Sequence, residues 1–189
     1  MNPAYHNIVE QQRKYFQSGI TLSYDFRKQQ LQKLLNIVTE NEKKIIDAIW
    51  ADMHVNEFEA WGLQVGLVQY EIKYMLKNLH RWMRPKKRKT PLFHIRAKSY
   101  IHKQPYGVSL IIGPWNFPFM LALRPALGAM AAGNTAVIKP SEITKHTAAV
   151  LEEIINKNFQ PEFLHVINTD GEGAQELLKE KFDFIFFTG

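Results

Sequence analysis

An asparagine, a lysine and a glutamate occupy positions in this chain from which chemistry could be done. Asn116 lies in the run Gly113-Pro114-Trp115-Asn116-Phe117-Pro118. The residues before it, Val108 to Ile112, form a short apolar run that reads as a buried strand, and those after it read as a helix. That spacing puts Asn116 on a strand-to-helix turn, at the edge where open parallel sheets bind ligands. A side-chain amide on such a turn can donate to an oxygen that gains negative charge during a reaction. A second reading makes Asn116 only the cap of the helix, with Pro118 as a favoured early helical residue. Lys139-Pro140-Ser141-Glu142 ends the next apolar strand, Thr135 to Lys139. A lysine and a carboxylate at that edge suit the two hydroxyls of a ribose, and they equally suit a surface ion pair beside a helix start. Glu142 also carries a sign, because a nearby carboxylate repels a ribose 2′-phosphate.

Other chemistry is excluded by what is missing. The chain contains no cysteine, which removes disulfides, thiolate metal sites and any cysteine nucleophile within these residues. No metal site is expected. There is no Gly-x-Gly-x-x-Gly after the first strand, so the usual phosphate-binding fingerprint is absent. Gly171-Glu172-Gly173 is too short to replace it.

The elements that must position these residues fall into two textures. The first half reads as helices. Tyr5, Ile8, Val9, Tyr15 and Phe16 share one helical face, as do Phe26, Leu31, Leu34, Leu35 and Val38. Thr39-Glu40-Asn41-Glu42 has the form of a capping box opening a helix that buries Ile45, Ile46, Ile49 and Trp50. Phe58, Trp61, Val65, Val68, Ile72, Leu76 and Leu79 predict one long amphipathic helix over about residues 55–82. After Pro85, residues 98–104 read as an exposed strand. From Gly107 strand and helix alternate: strands at 108–112, 135–139, 163–167 and 182–187, with helices at 117–132, 144–156 and 173–179 between them. Such alternation predicts an α/β fold with a parallel sheet built by right-handed crossovers, the first three strands side by side. The domain reading is a helical part, residues 1–82, then a basic connector with an oligomerisation-type strand, 83–106, then a Rossmann-like nucleotide-binding part, 107–189.

Charge divides along the same line. Of 189 residues, 46% are hydrophobic and 22% charged, which suits a globular chain. The net charge of +6 hides a contrast. Residues 1–103 hold 18 Lys/Arg and 9 Asp/Glu, whereas residues 104–189 hold 6 and 9. Arg81 to Lys103 alone contains nine basic residues and no acidic one. Such a run is usually a solvated strand or loop, with a phosphate or acidic-partner patch as the alternative. The start of the chain lacks the apolar core of a targeting segment, so a cytoplasmic location is expected. From Gln104 to Ile138 only Arg124 is charged, yet Pro105, Pro114, Pro118, Pro125 and several glycines interrupt the stretch. A lipid-exposed helix could not satisfy its backbone there, so no membrane span is expected. The final strand, Phe182 to Phe187, is almost wholly apolar, and nothing follows it to cover its faces. The sequence therefore reads as ending inside a domain.

Taken in order, these motifs resemble those of the aldehyde dehydrogenase superfamily. The carriers are Gly107-Val108 through Gly113-Pro114-Trp115-Asn116-Phe117-Pro118, then Ala131-Ala132-Gly133-Asn134-Thr135, Lys139-Pro140-Ser141-Glu142 and Phe187-Thr188-Gly189. Tyr100-Ile101-His102 and Pro105-Tyr106-Gly107 are most similar to the class 3 branch. The resemblance spans the whole chain. It implies a Rossmann-like sheet that binds NAD or NADP without the glycine fingerprint. It implies an oxidoreductase in which a cysteine thiolate attacks an aldehyde to form a thiohemiacetal, an asparagine matching Asn116 stabilises the oxyanion, hydride passes to the nicotinamide, and a glutamate-activated water releases the carboxylate. Lys139 and Glu142 match the adenine-ribose ligands. Ile112, Gly113, Pro114 and Trp115 line the cofactor side of the turn, Gly171 is placed with them, and Gly189 matches the start of the segment beneath the pyrophosphate. The cysteine and the glutamate base of the family lie beyond the matched residues, so this polypeptide is expected to be inactive alone. The implied partners are an aldehyde, for the complete enzyme, and a second copy in a homodimer, with no nucleic acid. A different class of reading is a short non-catalytic protein derived from that family, which binds nucleotide or dimerises through residues 98–104. A third is a binding module built on the basic run.

Overall fold

Apolar residues alternate in facing along Val108–Ile112 and Thr135–Lys139 so completely that both strands have to be sandwiched. The computed structural model, which describes residues 2–94 and 96–189, sandwiches them. Its helices are α1 (Pro3–Gln17), α2 (Tyr24–Glu40), α3 (Glu42–Met53), α4 (Glu57–Ala60), α5 (Gly66–Met83), α6 (Pro118–Ala132), α7 (Lys145–Asn156) and α8 (Gly171–Leu177). Its strands are β1 (Lys86–Arg88), β2 (Ser99–Ile101), β3 (Val108–Ile112), β4 (Thr135–Lys139), β5 (Leu164–Val166) and β6 (Phe184–Phe187). The last four form one parallel sheet in the order β5-β4-β3-β6. The first three of them lie side by side, as right-handed crossovers require. β6 then crosses to the other side of β3, so the strand order reverses between β3 and β6. Such a reversal opens a crevice at the carboxyl ends of the two strands.

The two faces of the sheet are covered differently. Ile111, Ala136, Ile138, Leu164 and Val166 join the large core with Leu31 and Leu34 of α2, Ile45 and Ile49 of α3, Val68 and Ile72 of α5, Leu123 and Leu127 of α6, and Leu151 of α7. Leu110 and Val137, one residue out of phase, face the other way and pack with Ile167 and Leu177, against Tyr5 and Ile8 of α1. α1 is bolted down by polar contacts to distant residues. Gln12 Nε2 donates to the carbonyls of Ala136 and Pro161, both at 2.9 Å. His6 Nδ1 meets Glu180 at 2.9 Å, and Arg13 donates to Asp183 at 2.9 Å. On the opposite side, α6 ends at Gly133, whose φ of 93° closes the helix in a conformation that suits glycine. A side chain there would also meet the Arg27 guanidinium, 2.3 Å from the position of a Cβ. Arg27 is buried and donates to the carbonyls of Thr21 and Ala131.

Four sequence expectations do not hold as read. The capping box is absent: α2 runs on through Thr39 to Glu40, and the Thr39 hydroxyl donates back to the Leu35 carbonyl at 2.8 Å. The cap position of α3 is Asn41, which makes no side-chain cap bond, and Glu42 accepts from Gln69 Nε2 instead. The long helix is also not continuous. A π-helical turn, Trp61–Val65, joins α4 to α5. The extra residue in that turn rotates the apolar face. Val65, Val68, Ile72 and Leu79 are buried, but Phe58 is 82% exposed and Trp61 43%. Trp50, expected inside with the α3 residues, is 56% exposed. Finally, the strand over 98–104 shrinks to Ser99–Ile101, and its partner is the basic triplet Lys86–Arg88, with Lys86 opposite Ile101 and Arg88 opposite Ser99. The basic run, read as a solvated strand or loop, supplies that exposed partner strand. No helix among the described residues is long and apolar enough to cross a membrane.

Candidate functional site

The turn after β3 is held from three directions. The Gly113 amide donates to the Lys139 carbonyl at 2.9 Å, which carries the β3–β4 pairing one residue past the strands. α6 packs directly on the turn: a Cβ at Gly113 would lie 2.9 Å from the Ala122 methyl. The Thr188 amide donates to the Ile112 carbonyl at 3.2 Å, which brings the end of β6 and Gly189 beside the same turn. Ile112 is half-buried, Gly113 and Pro114 are buried, and Trp115 and Asn116 are exposed. The cap position of α6 is Phe117, with no side-chain cap bond, so the structure does not support the reading of Asn116 as a mere helix cap. The first-turn amide of Phe119 is satisfied from elsewhere. It donates to Gln64 Oε1 at 3.1 Å, and Gln64 is 2% exposed in the π turn. Gln64 sits in the π turn, which the apolar spacing of the sequence conceals.

Lys139 and Glu142 come together at the end of β4. Lys139 is 4% exposed and its ammonium is ion-paired with the Glu142 carboxylate. That hydrogen bond holds Glu142 below the usual carboxylate range, so it is ionised at neutral pH. The pair has one buried donor and one exposed acceptor at the sheet edge that also carries the Gly113 turn. Gly171 lies apart: it opens α8 after β5, two strands from β3, and is exposed. No hydrogen bond links Asn116 or Gly171 to the Lys139–Glu142 pair among the described residues.

The loop carrying Glu142 is pinned by an aspartate that carries no motif. Asp52, near the end of α3, accepts from the Thr147 amide at 2.7 Å and from the His146 amide at 3.1 Å, with His146 Nδ1 at 2.9 Å. It thus caps the start of α7 from a different helix. Burial pushes the Asp52 carboxyl up, but the bonds from Thr147 and His146 outweigh it and hold the carboxyl below the usual carboxylate range. A depressed carboxylate stabilises the fold above its unfolded pKa and loses that contribution as pH falls through the folded one. Asp52→Ala is expected to cost about 1–2 kcal/mol of local stability, read as faster hydrogen exchange at residues 145–148. The wild-type and variant rates should converge as the pH falls through the lowered Asp52 pKa. Equal protection in both proteins at neutral pH would remove the cap.

Comparison with known proteins agrees with this geometry. The family model described as "Aldehyde dehydrogenase family" matches residues 2–189. The 4,4'-diaponeurosporen-aldehyde dehydrogenase of Staphylococcus aureus is 41% identical over 187 residues, covering 97% of this chain and 41% of its own. A dimeric, NADP-preferring aldehyde dehydrogenase of Canis lupus familiaris is 42% identical over 183 residues, covering 96% of this chain and 40% of its own. The solved substrate-bound state of Staphylococcus aureus AldH superposes with a TM-score of 0.96 at 39% identity, covering 99% of this chain and 41% of that one. The chain therefore spans about two-fifths of the length of these relatives. Matched from its second residue to its last, on the same helices and the same four-stranded sheet, the chain belongs to the aldehyde dehydrogenase family.

Proposed function

We propose that these residues form the nucleotide-holding part of an NAD(P)-dependent aldehyde dehydrogenase. The observation that carries this reading is the Lys139–Glu142 pair on the edge that bears the Gly113 turn. The donor set fits a ribose diol: the ammonium donates to one hydroxyl and the carboxylate accepts from another. The Gly113–Trp115 turn and Gly189 border the crevice between β3 and β6, where a dinucleotide would lie. The bound nicotinamide supplies the hydride acceptor. Asn116, exposed and not used as a cap, offers its amide N–H to the oxygen of an aldehyde as that oxygen gains charge. The nucleophile comes from outside these residues, since no cysteine lies among them. What the 189 residues supply is binding and oxyanion stabilisation, not turnover.

Nucleotide binding is the test. NAD+ retention by equilibrium dialysis is expected to fall roughly 10-fold or more for Glu142→Ala, because a charge-assisted hydrogen bond contributes about 1.5–3 kcal/mol. Glu142→Gln should narrow the preference for NAD+ over NADP+, since it removes the charge facing a 2′-phosphate. Unchanged retention in Glu142→Ala, or no retention by the wild-type chain, sinks the assignment.

A further inference from the structure

Asp52 carries its charge in a poor place for its own helix. It is the last residue but one of α3, where the helix dipole is negative and a carboxylate is disfavoured. Its side chain is 4% exposed, and among the described residues no lysine or arginine pairs with it. Everything that compensates the charge belongs to the first turn of α7: the Thr147 amide on one oxygen, the His146 amide and ring on the other. A buried carboxylate is not needed to hold the two helices together. Ile45 and Ile49 of α3 already share the main core with Leu151 and Ile155 of α7, and an apolar side chain would avoid the desolvation of a charge. What Asp52 adds is a fixed position for the start of α7.

That start has little else to fix it. Thr144 occupies the cap position of α7 and makes no side-chain cap bond. Its hydroxyl donates to the Ser141 carbonyl at 3.4 Å, and the Ile143 amide donates to the Ser141 hydroxyl at 3.3 Å, both long for hydrogen bonds. The loop over residues 140–144 is therefore located from its two ends. At one end the Lys139 carbonyl accepts from the Gly113 amide; at the other stands the turn bound by Asp52. Glu142 lies between them, with its side chain 44% exposed and paired with Lys139. A carboxylate on a loop that must be ordered on binding loses affinity to that ordering. We propose that Asp52 is a positioning residue for nucleotide binding: by fixing the start of α7 it presents the Glu142 carboxylate to a ribose hydroxyl. The inference rests on the reading of Lys139 and Glu142 as a ribose site. Asp52 acts through the loop and does not itself contact the nucleotide.

A double-mutant cycle on the full chain tests this. Dissociation constants for NAD+ are measured by equilibrium dialysis for the wild type, Asp52→Ala, Glu142→Ala and the double variant. Asp52→Ala is expected to weaken binding about fivefold, the scale of a lost helix cap. In the Glu142→Ala background the same substitution should change nothing further, because the carboxylate it positions is gone. A residue that only stabilised the fold would weaken binding by the same factor in both backgrounds. Asp52→Asn keeps one acceptor oxygen for the α7 amides, so it should recover part of the affinity, and it carries the same cycle if the alanine variant does not fold. Hydrogen exchange at the β3 and β4 amides, equal in all variants, is the control for folding. Equal weakening in both backgrounds, or no weakening by either Asp52 substitution, overturns the inference and leaves the ribose site standing. No NAD+ retention by the wild type, or no effect of Glu142→Ala, overturns both.

Discussion

Purified at micromolar concentration, this chain is expected to elute as large, heterogeneous assemblies. The cause is β6. Phe184, Ile185, Phe186 and Phe187 are 43%, 46%, 37% and 67% exposed, although the neighbouring β3 is almost fully buried. Among the described residues, β6 hydrogen-bonds to β3 on one side and to no strand on the other. Among the described residues its aromatic shelter is Tyr106, whose ring stacks on Phe184 at 5.4 Å. Fully burying a large apolar side chain is worth about 1.5–3 kcal/mol. Four such side chains, each partly exposed, therefore forgo several kcal/mol, against a typical net stability of about 5–15 kcal/mol. The free backbone edge adds a template for pairing with another copy. Ile185→Lys places a charge on that edge and is expected to shift the elution profile toward monomer. Size-exclusion chromatography with light scattering reads both outcomes. A monodisperse, cooperatively melting wild-type chain would refute the prediction.

Mixed with an aldehyde and either NAD+ or NADP+, the chain should form no reduced cofactor above the uncatalysed background. Positioned amides such as Asn116 lower a barrier that something else must first approach, and the attacking thiolate of this family's chemistry has no counterpart among these residues. Losing the nucleophile removes nearly all of a catalytic constellation's effect, because its members act as a unit. Absorbance at the reduced-nicotinamide band provides the measurement. The Ile185→Lys chain is the better sample, since its solubility separates lack of chemistry from lack of folded protein. Aldehyde-dependent reduction by either chain would require a nucleophile other than cysteine.

The parallel sheet could be read from the sequence because its strands are apolar on both faces and punctuated by Gly113-Pro114, Gly133 and Pro140. The pairing of Lys139 with Glu142 was legible for a related reason: a lysine that closes a buried strand has only the sheet edge to emerge into. Gln64 and Asp52 were not legible. Each acts on an amide far away in sequence, Phe119 and Thr147, and each looks like an ordinary polar residue on a helix. The capping box failed because Thr39 found a carbonyl on its own helix before Glu42 could reach back. The π turn was invisible because Val65, Val68 and Ile72 continue the spacing of a straight helix, and only Phe58 and Trp61 betray the added residue by pointing outward.

The polar bolts on α1 also set a timetable. Gln12 waits for Ala136 and Pro161, His6 for Glu180, and Arg13 for Asp183. Those partners lie 124 to 174 residues further along the chain. At about 5–20 residues per second, the first helix leaves the tunnel roughly 10–30 s before its final anchors exist. Through that interval Tyr5, Ile8 and Val9 have no sheet to lie against. α1 is thus made well before the residues that secure it, and a nascent-chain binding factor has a long opportunity to engage it in between.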